Sequence, residues 1–319
     1  MRRIFALVLI GLLAAFAVSC EREEREFPSG NITMICPWAA GGGTDAILRA
    51  ISSAAERELG VNIIVDNRTG GAGAIGHAAI MNARPDGYTM GMITFELNSL
   101  PQQGLIHFTF EDFEPLILVN ADAAALTVHA NAPFNTVQEF VDYARQNPGT
   151  IAIGNSAPGS VWHIGAGLLA SETGIQVNHI PFEGAAGAVT ALAGGHIQAV
   201  SVSLAEVRSQ VEAGNVKVLG VMDTQRNEMF PDVPTFQEQG FDIVYQTWRG
   251  LALPRGVDPA IRETLERAFT AAMDDPVFIE QARNLNLNLH FLPSGEFATF
   301  LRDNKEAVTR TMIDLGMVN

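Results

Sequence analysis

The run DNRTGGAGAIG (66–76) contains Gly71-Ala72-Gly73-Ala74-Ile75-Gly76, the G-x-G-x-x-G spacing by which dinucleotide-binding proteins hold a pyrophosphate. A strand-like VNIIVD (61–66) precedes it and a helix-like AIGHAAIMNA (74–83) follows. Glu96 stands twenty residues past Gly76, where a ribose-binding acid is expected. The chemistry shared by such loops is anion binding. Glycines let the main chain approach a ligand and turn its N–H groups inward, and the start of the next helix adds about half a positive charge.

Three further loops share this character. Pro37-Trp38-Ala39-Ala40-Gly41-Gly42-Gly43-Thr44-Asp45 is glycine-rich, and Thr44 or Asp45 can cap the helix after it. Trp38 suits either the cover of an apolar ligand surface or a hinge or core position. In Gly154-Asn155-Ser156-Ala157-Pro158-Gly159-Ser160-Val161-Trp162-His163, Ser160 suits an N-cap, with Ser156 and Gly159 in the turn before it and His163 in the first helical turn. The fourth loop, Pro181 to Gly187, carries Phe182 and Glu183. No G-x-S-x-G, H-E-x-x-H or Walker spacing occurs, and nothing in the spacing of His163 and His179 builds an acid–base set. Donor-rich loops without a reactive group read as a binder. No catalytic residue, metal ligand or cofactor is expected.

The elements that must position these loops alternate between β-like and helical patterns. Strands are expected at 32–36, 61–66, 88–95, 115–120, 125–130, 150–154, 177–181, 197–202, 216–221, 241–248 and 250–254. Helices are expected at 44–58, where Ile47, Leu48, Ile51, Ala54 and Ala55 form one stripe, at 74–83, and near 160–172, 185–194 and 204–213. Thr136-Val137-Gln138-Glu139 is a capping box opening a helix to Gln146. From Pro259 the tail is chiefly helical, with a short strand near 289–292. Strand–helix alternation implies parallel sheets with right-handed crossovers. Two such series, then returning strands and terminal helices, imply two α/β domains, with ligands beyond the carboxyl ends of the strands.

The N-terminus reads as an export segment. Met1-Arg2-Arg3 is followed by an apolar run over 4–18, shorter than the ~20 residues a bilayer span needs. Ala17-Val18-Ser19-Cys20 resembles a lipobox, so residues 1–19 are expected to be cleaved and Cys20 acylated. Residues 20–30, charged and nearly devoid of apolar side chains, read as a tether, with the folded body beginning near Asn31. Cys36 then stands alone in the alternating Ile32-Met34-Cys36 and is expected to be a buried, inert thiol. The formal charge is −15, and removing residues 1–19 takes away two arginines and no acid. Such a chain is a poor partner for nucleic acid or an anionic lipid surface, so any anion site must be built from local donors.

Together the four loops resemble one family. PWAAGGGTD followed by Arg49, VDNRTGGAGAIG followed by ARPDGYTM (83–90), GNSAPGSVWH, HIPFEGAAGAVTALAGGHIQAV (179–200) and RNEMFPDVPTFQEQGFDIVYQTWRGLALPRGV (226–257) are similar to the motifs of the tripartite tricarboxylate transporter solute-binding proteins, the Bug-type receptors. The resemblance spans Asn31 to Asn319. Departures include Glu183 where a lysine is common, Leu253 for alanine, the bulky Val161 and Trp162, and a less polar FELNSLPQQ (95–103).

The resemblance implies a fold of the type II periplasmic-binding-protein kind, two α/β lobes closing on a cleft like a Venus flytrap. Lobe 1 would comprise 31–127 and 246–319, and lobe 2 would comprise 128–245. It also implies a small carboxylate ligand held largely by main-chain donors. Trp38, Ala39, Ala40, Gly41, Gly42, Asp45, Gly71, Ala72, Gly73, Ser156, Gly159, Ser160, His163, Phe182 and Glu183 are the expected ligand-binding residues. The expected partners are a large and a small membrane subunit of a transporter. A monomer is expected, outside the cytoplasm and anchored through lipid on Cys20.

Two other functions fit parts of the sequence. One is an NAD-dependent oxidoreductase using Gly71–Gly76. Export and the four residues Asn67–Gly70 between the strand and the first glycine argue against it. The other is a receptor that presents its ligand-loaded lobe to a signalling partner.

Overall fold

The computed structural model describes residues 26–318, so the expected export segment and Cys20 lie outside the described residues. Strands β1 (Ile32–Cys36), β2 (Ile63–Asn67) and β3 (Thr89–Thr94) form a parallel group with β1 in the middle. Helices α1 (Gly43–Leu59) and α2 (Ala74–Met81) connect them. After the short, buried α3 (Glu96–Ser99), the long β4 (Phe113–His129) crosses the molecule. A second parallel group follows: β5 (Ala152–Asn155), β6 (Asn178–Pro181) and β7 (Ala199–Ser203). With it come α4 (Val137–Gln146), α5 (Val161–Thr173), α6 (Ala185–Ala193), α7 (Leu204–Glu212) and β8 (Val216–Val221). The chain returns through β9 (Gln246–Pro254) to α8 (Pro259–Met273), α9 (Pro276–Asn284), β10 (Leu289–Pro293) and α10 (Ser294–Asp314).

The strands form one path, β2-β1-β3-β9-β4-β7-β5-β6, with β8 and β10 also paired to β4. β4 joins the two parallel groups. Phe113–Ala123 pairs antiparallel with β9, whereas Ala124–His129 pairs with β7 and β8. The partner change between Ala123 and Ala124 separates two α/β halves that share this strand.

Sequence pattern explains the packing of each half. In α1 the stripe Ile47, Leu48, Ile51 is fully buried, contributing about 1.5–3 kcal/mol per side chain. It packs on Ile32, Met34, Met90, Leu251 and Phe269. Gly60 ends the helix in the left-handed region (φ 69°), its N–H bonded to Glu56 O. In the second half Phe140, Ile153, Leu169, Leu192 and Val202 are fully buried in one core.

Several boundaries differ from expectation. The strands expected at 115–120 and 125–130 are one 17-residue strand, because the polar Asn120 and Asp122 that interrupt the apolar pattern are buried and hydrogen-bonded to each other. The strand expected from 241 begins at Gln246, since residues 241–245 bond as turns, Phe241 N to Phe236 O and Ile243 N to Phe241 O. At α4, Thr136 Oγ1 accepts from Glu139 N, but Glu139 reaches back to Asn135 N (2.6 Å) rather than to the cap residue. Among the described residues, Phe27, four residues before Asn31, packs its ring edge-on against Tyr88 (5.1 Å).

Candidate functional site

The four loops singled out from sequence all lie past the carboxyl ends of parallel strands. Residues 37–42 follow β1, 68–73 follow β2, 156–160 follow β5 and 182–184 follow β6, and they open α1, α2, α5 and α6. This is where open α/β sheets place ligands. Loops of the two halves face each other across a cavity of about 580 Å³, lined by Trp38, Gly70–Ala74 and Leu105 on one side and Ser156–Pro158 and Pro181–Glu183 on the other. Trp38 and Ser156 also border a small inner chamber of about 30 Å³. Its walls include Ala39, Gly42–Thr44, Thr94, Glu96, Val161, Trp162, Gly184–Ala186, Glu206, Thr247 and Arg249.

Glycine here serves conformation and close approach at different positions. Gly73 is the N-cap of α2 in the left-handed region (φ 88°), where a side chain is strained. Gly76 has another task. A Cβ there would lie 2.5 Å from Pro37 Cα and 2.8 Å from Arg68 O, so this glycine lets α2 pack onto the neighbouring loop. The last glycine of the G-x-G-x-x-G spacing thus brings two cleft loops together.

The expected residues divide into those that line a cavity and those that do not. Trp38, Ala39, Gly42, Gly71, Ala72, Gly73, Ser156, Phe182 and Glu183 line one cavity or both. Ala40, Gly41, Asp45, Gly159, Ser160 and His163 line neither. Asp45 is 4 % exposed and spent internally, accepting from Gly41 N (3.0 Å), Arg49 Nε (3.0 Å) and Asn67 Nδ2 (2.9 Å). These donors hold its carboxyl below the usual aspartate range although burial pushes the other way. The N-cap of α1 is Gly42, without a side-chain cap, because Asp45 turns back to Gly41.

Ser160 caps α5 as expected, its Oγ accepting from His163 N (3.4 Å) and from the Ser156 hydroxyl (2.7 Å) while donating to Ala157 O (2.8 Å). His163 Nδ1 accepts from Gly159 N (3.0 Å), and its ring packs edge-to-face on His179 at 4.8 Å. Burial, then the neighbouring His179, pulls the His163 pKa down to about 4, so the ring is a neutral brace for the serine loop.

Sequence reading missed a buried polar network. Arg249, 3 % exposed in the middle of β9, donates from Nη1 to Asp122 (2.7 Å) and from Nε to Thr44 Oγ1 (2.9 Å). Its Nη2 lies 3.8 Å from Glu206 Oε1. No arginine near the cleft was expected, yet this one borders the inner chamber. A cation inside the apolar TWRGLALP was the available signal, since buried arginines occur paired.

Glu96 holds no ribose. It is 1 % exposed and accepts from Thr94 Oγ1 (2.5 Å) and from Val161 N (3.0 Å), the first residue of α5. Burial raises its carboxyl above the usual range, as it does that of Glu206, where Arg249 offsets only part of the effect. His77, fully buried, faces Thr94 Oγ1 with Nε2 (3.3 Å), while Nδ1 has no partner among the described residues. Because Thr94 gives its proton to Glu96, His77 must donate from Nε2, and burial lowers its pKa to about 3.

Cys36 is free and fully buried, its thiol pushed up to about 12 by burial. Among the described residues no group of three or more His, Cys, Asp or Glu could hold a metal ion. No helix there is long and apolar enough to cross a membrane.

Two α/β halves sharing β4, with the helix-opening loops of both facing one cleft, define a two-lobed solute-binding fold. Comparison with known proteins agrees. The model of the TctC family, described as tripartite tricarboxylate transporter family receptor, matches residues 47–317, and the chain belongs to that family. It is similar to the "UPF0065 protein in gbd 5'region" of Cupriavidus necator, with 30 % identity over 306 residues, 96 % of this chain and 93 % of the relative. Among solved structures, a TctC solute-binding protein from Polaromonas is 38 % identical with TM-score 0.68, covering 90 % of this chain and 99 % of that one. MatC from Rhodopseudomonas palustris, with bound malate, shares the fold with TM-score 0.82 at 24 % identity, covering 91 % of this chain and all of that one. The family is one of periplasmic solute-binding receptors, not enzymes.

Proposed function

We propose that this chain captures a small organic carboxylate by closure of its two lobes and delivers it to the large and small membrane subunits of a tripartite tricarboxylate-type transporter. The bodies that close are 31–127 with 246–319, and 128–245. The partner change in β4 at Ala123–Ala124 and the return through β9 at Gln246 support that division. Trp38, Ala39, Gly42, Gly71, Ala72, Gly73, Ser156, Phe182 and Glu183 contact the ligand. Gly41, Asp45, Gly159, Ser160 and His163 hold the loops that do so, and Ala40 stands in the first of them. The receptor works as a monomer outside the cytoplasm, tethered through lipid on Cys20.

The observation that carries this reading is the 580 Å³ cavity, with glycine-rich main chain on one wall and the serine loop on the other. In a chain of formal charge −15, an anion must be held by such local donors. Ligand contacts to both walls at once would draw the population toward the closed form. The malate held by MatC is a ligand of the expected chemistry.

A thermal-shift screen of ligand-stripped protein against citrate, succinate, glutamate, adipate and terephthalate tests the proposal. A carboxylate at a hundred times its Kd should add about 2.7 kcal/mol of stability. No shift across a broad carboxylate panel would sink it.

A further inference from the structure

The serine loop, Ser156–Ser160, forms part of one wall of the cleft, and both of its ends are tied to an imidazole. At its far end Gly159 N donates to His163 Nδ1 (3.0 Å). Just before it, Asn155, the last residue of β5 and 1 % exposed, meets His179 Nδ1 through its amide Nδ2 (3.4 Å). A main-chain N–H and an amide nitrogen can only donate, so both rings must accept through a bare Nδ1 and carry their proton on Nε2. Asn155 O in turn accepts from Phe182 N (2.9 Å), which links the same brace to the loop after β6 in the outer cavity.

The two rings also meet each other, edge to face at 4.8 Å, so a charge on one disfavours a charge on the other. Nothing around them compensates such a charge. β5, which pairs with β6, and β7 and α6 beyond it carry no charged side chain. Of the acids on adjoining segments, Glu96 is spent on Thr94 and Val161 N, Glu183 stands exposed in the loop after β6, and Glu172 lies near the other end of α5. No acid forms an ion pair with either ring among the described residues. Burial holds both imidazoles below their ordinary value, and the His179 ring adds to the effect on His163. Both rings are only half-buried, so protons from solvent can reach them.

We propose that His163 and His179 act together as an acid-sensitive latch on the serine loop, holding that wall of the cleft in place while neutral and releasing it when either takes a proton. Protonation puts an N–H on Nδ1, where it faces the Gly159 N–H or the Asn155 amide, and the bond becomes a repulsion between donors. With the His163 ring at its ordinary 6.5 in the released loop and at about 4 in the held one, release becomes about twentyfold more frequent at pH 5 than at pH 7. His179 is thus a positioning residue for a cavity that it does not itself line.

Hydrogen exchange of the ligand-stripped protein tests it, read by mass spectrometry on peptides spanning 154–165 and corrected for the intrinsic exchange rate. In the wild type, protection is expected to fall about twentyfold or more from pH 7 to pH 5. In His163→Asn, whose Oδ1 can accept from Gly159 N at any pH, the fall should be fivefold or less. Equal protection at both pH values in the wild type, or the same fall in the variant, would overturn the proposal. Should the variant fold poorly, the Cε1 proton shifts of the wild type decide the matter. His163 and His179 are expected to titrate below 6.5, and midpoints at 6.5 for both would overturn the proposal as well. No ligand enters either measurement, so their failure would leave the carboxylate reading standing.

Discussion

Arg249 is the residue whose removal tests the buried network most severely. In Arg249→Met the apolar stem of the side chain is kept and the charge is lost. Asp122, its side chain 5 % exposed, would lose one of its three donors and keep Asn120 Nδ2 (2.7 Å) and Asn288 N (2.8 Å). Glu206 would lose the only cation within 4 Å among the described residues. Leaving a buried charge without its partner costs about 3–5 kcal/mol. Unfolding entropy of about 2.1 cal/mol/K per residue gives roughly 0.6 kcal/mol/K for a body of about 290 residues, so the expected fall in Tm is about 5–8 °C. Calorimetry on wild type, Arg249→Met, Asp122→Ala and the double variant measures both the loss and the coupling. The double variant should be more stable than the sum of the singles by about 1–3 kcal/mol, because the second substitution removes the charge that the first one stranded. A loss below about 1 kcal/mol in Arg249→Met, or strict additivity in the double variant, would refute the view of Arg249 as the counter-ion of this network.

Other consequences can be checked separately. His77 is neutral when folded, with its pKa depressed to about 3, so the unfolded chain binds a proton first. Its contribution is fully present above pH 6.5 and is lost as pH falls toward 3, by about 1.4 kcal/mol per unit. Denaturant titrations at pH 7 and pH 5 should therefore show a loss about 2 kcal/mol smaller in His77→Gln than in wild type, and an equal loss would contradict the assignment. Gly76→Ala puts a methyl group 2.5 Å from Pro37 Cα and should cost about 1–3 kcal/mol in chemical denaturation, whereas a neutral outcome would show that α2 can move away. Phe182→Ala removes an aromatic wall of the outer cavity and should weaken ligand binding about tenfold or more with little change in Tm, since Phe182 is only partly buried. An unchanged Kd would move the ligand elsewhere.

What could be read from sequence was what depends on local rules. The four loops were legible because glycine runs and capping residues next to apolar periodicity announce the end of a strand and the start of a helix, as at Ser160. The joining of the halves was harder to see. Asn120 and Asp122 look like a break in an apolar run, yet Asn120 donates to Asp122, and Asp122 is satisfied by partners far away in sequence, Arg249 and Asn288 N. Glu96 and Glu206 escaped for the same reason. An acid after a strand has no sequence mark to say that it will cap a distant helix or face a chamber. Gly76 shows the converse error, in which a spacing match is met for a packing reason. Asp45 and His163 stand in the first turns of α1 and α5 and line neither cavity, and each bonds a neighbour four residues away, Arg49 and Gly159.

The central claim, a receptor for small carboxylates, is tested most directly by what the protein carries. Protein purified without added ligand is denatured, and the small molecules released are identified and quantified by mass spectrometry. A carboxylic acid of a few carbon atoms, at up to one per chain and absent from a mock-purified control, is the result expected. A dinucleotide, or a stoichiometric ligand with no acid group, would contradict the account.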